Sequence, residues 1–145
     1  MRICVQGLGY AGLVSGVCLA REGHSVIGVD VNPETAAAVA EGRAPMREPQ
    51  MAELLAEVVA NGRLRVAASC AEAVRASEVT MICVGTPTGP DGSADLSHVE
   101  RVCREIGAAL SGATAPHLVV LRSTVPPGTT RRMARLIALR SGLPL

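Results

Sequence analysis

Lysine, phenylalanine and tryptophan are missing from this 145-residue chain, and Tyr10 is its one aromatic side chain. Without lysine there is no amine for a Schiff base and none to complete a phosphate-binding loop of the GxxxxGK(S/T) kind. Without a set of aromatics there is no stacking platform of the sort that readers of single-stranded nucleic acid use. All 14 cationic side chains are arginine, and against 13 carboxylates they leave a net charge of +1. No whole-molecule field therefore gathers nucleic acid or an anionic membrane. The most apolar runs, residues 79–84 and 118–121, fall far short of the roughly 20 residues of a membrane-spanning helix. The first five residues lead straight into a glycine-rich turn without a secretory pattern, so a cytoplasmic location is expected. Cys4, Cys18, Cys70, Cys83 and Cys103 are odd in number and contain no CxxC pair, which reads as reduced thiols, mostly small buried hydrophobes.

Hydrophobic residues make up 48% of the chain and charged residues 19%, enough for one folded domain and unlike a disordered tract. Short apolar runs alternate with helical patterns, and Gly, Pro or Asn stands at the joints. That alternation is the mark of an α/β fold with a parallel sheet. Strands are expected over 2–6, 25–31, 64–67, 78–84 and 118–122. Helices are expected over 10–22, 33–41, 51–60, 70–76, 96–110 and 127–140, with Asn32 and Ser69 as N-caps. Residues 86–95 form the longest loop. A doubly wound dinucleotide fold has six strands, so five followed by a final helix imply a Rossmann-type sheet whose last strand lies outside the chain.

Gly7-Leu8-Gly9-Tyr10-Ala11-Gly12 is a GxGxxG that follows a strand and opens a helix. Gly7 permits the tight turn, Gly9 lets backbone approach a pyrophosphate, and Gly12 lets helix pack on strand. The helix N-terminus then favours the phosphates. Taken alone, the motif also describes a flexible surface turn. Here, however, Asp30 ends the second strand eighteen positions after Gly12, close to the spacing the dinucleotide fingerprint asks for. Its carboxylate would accept from ribose hydroxyls and repel a 2′-phosphate, which favours NAD over NADP; the alternative is that Asp30 caps the following turn.

These residues, together with Val29-Asp30, Ile82-Cys83-Val84-Gly85-Thr86-Pro87, Ala94-Asp95-Leu96 and Arg122-Ser123-Thr124-Val125-Pro126-Pro127-Gly128-Thr129, resemble the N-terminal domain of the UDP-glucose/GDP-mannose dehydrogenase family. The resemblance covers essentially the whole chain, so residues 1–145 are expected to form its NAD-binding domain. Members oxidise the C6 alcohol of a nucleotide sugar to a carboxylate with two NAD in succession. The resemblance implies that Gly7, Gly9, Tyr10, Ala11 and Gly12 face the pyrophosphate and that Asp30 faces the adenosine ribose. It places Thr86 on the cofactor and Thr124 near the nicotinamide as the tentative catalytic residue. On the residues themselves, Thr124 is equally a cap for the helix after Pro126-Pro127.

Thr35 stands where relatives commonly carry a basic residue beside the ribose, which lowers the expected affinity for NAD. Gln50 and Met51 replace Gly-Leu of the family's Glu-Pro-Gly-Leu, and the turn there is expected to differ because glutamine avoids positive φ. The family's nucleophilic cysteine, with lysine, asparagine and aspartate partners, lies in a C-terminal half that is absent here. None of the five cysteines is nominated in its place, and the chain is expected to bind cofactor without turning over substrate. Arg122 before Ser-Thr-Val and residues 102–107 lean towards the GDP-mannose branch.

His24, His98 and His117 are isolated and imply no metal. Arg131, Arg132, Arg135 and Arg140 make the last helix basic, which reads as a solvated face. The expected partner is a nucleotide sugar held mostly outside this chain, with neither nucleic acid nor membrane. An edge strand without its neighbour also predicts a homo-oligomer. The other function classes are a non-catalytic NAD-sensing module and a subunit-pairing module.

Overall fold

Alternation places β1 (Arg2–Gln6) at the centre of a sheet, because Ile3 and Val5 bury against one layer of helices while Cys4 buries against the other. The computed structural model describes residues 1–90 and 92–144. After β1 come α1 (Tyr10–Arg21), β2 (Ser25–Val29), α2 (Pro33–Ala40), α3 (Met51–Ala60) and β3 (Leu64–Val66). The second half runs α4 (Cys70–Arg75), β4 (Val79–Ile82), α5 (Ser97–Leu110), β5 (Leu118–Leu121) and α6 (Thr129–Ser141). All five strands pair in parallel in the order β3-β2-β1-β4-β5, the doubly wound Rossmann-type arrangement. Parallel pairing needs helical crossovers, and these cover both faces of the sheet.

One core joins Ile3, Val5 and Val26 to Leu13 and Val17 of α1, Val39 of α2, and Met51, Leu55 and Val58 of α3. On the opposite face Cys4, Ile27 and Ile82 meet Cys70, Ala73 and Val74 of α4, Val99, Val102, Cys103 and Ile106 of α5, and Met133 of α6. The expected caps form. Asn32 Oδ1 accepts from the Glu34 N–H at 2.9 Å, and Ser69 Oγ accepts from the Glu72 N–H at 3.2 Å.

Three expectations need correction. First, β2 stops at Val29 and β4 at Ile82, short of Val31 and Val84. Their ladders end where β1 turns away at Gly7 (φ +96°), after the last bonds from Gly7 N–H to Val29 O and from Cys83 N–H to Gln6 O. Cys83 therefore lies just past the strand. Second, α6 starts at Thr129, because Gly128 sits at φ +85° and breaks the helical path. Thr124 consequently caps no helix. Third, Gln50 does adopt the left-handed region, with φ 64°, as the N-cap of α3. The turn is held by the Leu54 N–H donating to Gln50 O at 3.0 Å and the Met51 N–H donating to Glu48 O at 3.2 Å. A left-handed L-residue costs about 1–2 kcal/mol. Burying Met51, Leu55 and Val58 just beyond it returns about 1.5–3 kcal/mol per side chain and decides the geometry.

Candidate functional site

The strand order reverses between β1 and β4, and an open α/β sheet forms its ligand crevice at the carboxyl ends of such strands. The β1–α1 turn lies there. Gly7 adopts its positive φ beside the backbone of Cys83 and Val84, leaving a Cβ only 3.0 Å from Cys83 O. At Gly12 a Cβ would lie 1.8 Å from Gly7 O, so the helix reaches the strand only because no side chain is there. At Gly9, by contrast, a Cβ would meet nothing within 4 Å. Folding therefore tolerates a side chain at Gly9, and the space such a side chain would enter is open. No side chain caps α1, so the N–H groups of its first turn stay open to an anion. Tyr10 is 59% exposed at the mouth of this turn, next to half-buried Ala11.

Asp30 stands beside the turn, half-buried. Its Oδ2 accepts from the Leu8 N–H at 2.6 Å and its Oδ1 from the Asn32 N–H at 2.8 Å. The turn-capping role weighed for it is thus real, and it also ties the end of β2 to the glycine-rich turn. Each carboxylate oxygen still has a lone pair for a ribose hydroxyl. Thr35 lies in the first turn of α2, half-buried, and its N–H reaches Asn32 Oδ1 at 3.4 Å.

The other end of the crevice is built from the loops after β4 and β5. Thr86 Oγ1 donates to Thr124 O at 2.8 Å, which joins the two threonines picked out from sequence. Ser123 Oγ donates to Val84 O at 2.6 Å, and the Arg122 N–H donates to Ile82 O at 2.9 Å, so the loops are sewn together behind them. Thr124 is exposed.

Beside the glycine-rich turn and Asp30 lies a cleft of about 220 Å³, lined by Gln6, Gly7, Gly9, Asp30, Gly85 and residues of α5, while Thr35, Thr86 and Thr124 stand outside its lining. Sequence reasoning missed Gln6 as well as His98, Arg101 and Glu105 of α5. The signal was present in both cases. Gln6 is a polar residue in an apolar strand, and His98, Arg101, Val102 and Glu105 recur at the three- and four-residue spacing of one helix face.

The thiols near the crevice are poor nucleophiles. Burial pushes Cys4 and Cys103 up to about 11 and Cys70 up to about 12. It also raises Cys83, an effect the Arg122 guanidinium partly offsets. Cys18 is exposed on α1. Among the described residues no group of three His, Cys, Asp or Glu side chains is placed to hold a metal, and no helix is long and apolar enough to cross a membrane. On α6, Arg132 pairs with Glu100 of α5 at 2.8 Å, while Arg131, Arg135 and Arg140 are exposed.

Residues 1–143 match the model of the UDP-glucose/GDP-mannose dehydrogenase family, NAD binding domain. The chain is 49% identical over 133 residues to the GDP-mannose 6-dehydrogenase of Pseudomonas putida, which covers 92% of this chain and 30% of that protein. It is 44% identical over 139 residues to the UDP-glucose 6-dehydrogenase of Pseudomonas aeruginosa, covering 96% and 30%. It superposes with a TM-score of 0.96, at 44% identity, on a crystal structure of a ternary complex of GDP-mannose dehydrogenase from Pseudomonas aeruginosa, covering 99% of this chain and 33% of that one. The chain thus spans 30% of the length of the curated relatives it matches.

Proposed function

Because the chain belongs to the UDP-glucose/GDP-mannose dehydrogenase family as its NAD-binding domain, we propose that it supplies the cofactor half of a nucleotide-sugar 6-dehydrogenase. The observation that carries this reading is the β1–α1 turn, where Gly9 leaves open space in front of an uncapped helix N-terminus and Asp30 is fixed beside it. A side chain at Gly9 would fill that space, so the residues present fit a pyrophosphate.

Gly7, Gly9, Tyr10, Ala11 and Gly12 would hold the pyrophosphate, Asp30 and Thr35 the adenosine ribose, and Thr86 and Thr124 the nicotinamide end. When bound, NAD supplies the acceptor for a hydride. Thr86 would orient that end through its bond to Thr124 O, and Thr124 would face the reacting region. The oxidised carbon would be C6 of the sugar, carried to the carboxylate with two NAD. GDP-mannose is the preferred sugar, supported by Arg122 before Ser-Thr-Val and by the 49% identity to a GDP-mannose 6-dehydrogenase.

The nucleophile and most substrate contacts would come from chain outside these residues. That division agrees with the raised thiols of Cys4, Cys70 and Cys103 and with the lack of lysine. The enzyme would work in the cytoplasm, where its nucleotide substrates are made, and as a homo-oligomer. Titration of the chain with NAD and with NADP tests the cofactor assignment. NAD is expected to bind at least about tenfold more tightly, since a 2′-phosphate would meet the Asp30 carboxylate. Equal affinities would contradict it.

A further inference from the structure

Gln6 is 3% exposed, the one polar side chain in a strand otherwise committed to the core, apart from Arg2 at its outer end. A buried amide without partners is unfavourable, and here two thiols take up one half of it. Gln6 Nε2 donates to Cys4 Sγ and to Cys70 Sγ, each at 3.2 Å. An amide nitrogen has two hydrogens, so both are used. No described residue donates to Oε1. Among the described residues no fully buried side-chain nitrogen or oxygen is left without a partner, so the unpartnered Oε1 keeps some accessible surface, and Gln6 is one of the residues that line the cleft.

The walls of that cleft suit a flat ring. Val31 follows Asp30 and is 72% exposed, an aliphatic surface that no protein group covers, and His98, Arg101, Val102 and Glu105 of α5 stand across from it. A base leaving a ribose held at Asp30 would enter between them, with Gln6 at the floor.

We propose that Gln6 is a specificity-determining residue, presenting its amide oxygen to the exocyclic amine of adenine in an orientation that Cys4 and Cys70 lock. The inference rests on reading the cleft as the adenosine end of an NAD site. An acceptor at the floor favours a base that carries a donor. Adenine has an amine where hypoxanthine has a carbonyl oxygen, and that oxygen would face Oε1 acceptor to acceptor. Asp30 and Glu105 add acceptors to the same cleft, so the Gln6 share has to be isolated by substitution.

The test compares the affinities of the 145-residue chain for NAD and for nicotinamide hypoxanthine dinucleotide. NAD is expected to bind at least about tenfold more tightly, the scale of leaving one buried acceptor unpaired. Gln6→Met keeps the shape and removes the oxygen, and should bring the two affinities within about twofold. Cys70→Ala, read alongside, frees one amide hydrogen and should shrink the ratio even if the Gln6 variant does not fold. Equal affinities in the unaltered chain, or a ratio that persists in either variant, would overturn the inference and leave the NAD site standing. Failure of the unaltered chain to bind NAD at all would overturn both.

Discussion

Gln50 holds φ at 64°, and among the described residues it is the only non-glycine with positive φ. The strain, about 1 kcal/mol, is carried because α3 then delivers Met51 and Leu55 to the core. Gln50→Gly should therefore raise stability by about 1 kcal/mol and the melting temperature by about 3–5 °C in thermal unfolding. An unchanged or lower melting temperature would show that the turn is not strained. Single residues were also where the sequence was hardest to interpret. The structural roles of Gly7 in the turn and Gly12 in helix packing could be read from spacing because each follows from backbone geometry alone. That Asp30 bonds both Leu8 and Asn32 could not, since it depends on how β2 ends against the turn. Gln6 stood out as a polar residue in an apolar strand, but its partners were hidden for a similar reason, because Cys4 and Cys70 come together only when α4 packs on β1.

At the scale of elements, helices were legible almost to the residue where a capping side chain marks them, as at Asn32 and Ser69, and poorly where glycine intervenes, as at Gly128. Strand ends were overextended on the side of the crevice, because apolar character continues through Val31 and Val84 after the pairing partner has turned away. The junction of β4 with β5 carries its own prediction. His117 Nε2 lies 2.8 Å from Thr80 Oγ1, and burial holds the imidazole below its ordinary value of 6.5. As pH falls through that value the unfolded chain takes up the proton first, so the stability associated with the neutral ring is present above it and lost below it. Melting temperature should fall by a few degrees between about pH 7.5 and pH 5.5, and His117→Gln should flatten that fall. The depressed carboxyls of Asp95, Glu72 and Glu78 act in the same direction, though only at lower pH. A variant with the same slope as the unaltered chain would remove His117 from the account.

Viewed as a whole molecule, the sheet is covered on both faces and, among the described residues, ends in two edge strands, β3 and β5. β5 has β4 on one side and, among the described residues, no strand on the other. Leu118 is 60% exposed on β5 and Leu139 is 81% exposed on α6. An unpaired apolar edge is a template for association. The chain should therefore sediment as dimers or larger species at about 50 µM, and Leu118→Arg should shift it towards monomer. A monomeric unaltered chain would contradict this. The central claim, that the β1–α1 turn holds the pyrophosphate of NAD, is tested most directly by calorimetric titration of NAD into the chain and into Gly9→Ala. A Cβ at Gly9 meets no protein atom within 4 Å, so the variant should fold with an unchanged melting temperature while its NAD affinity drops at least about tenfold. A Gly9→Ala chain that binds NAD as tightly as the unaltered one would contradict the account.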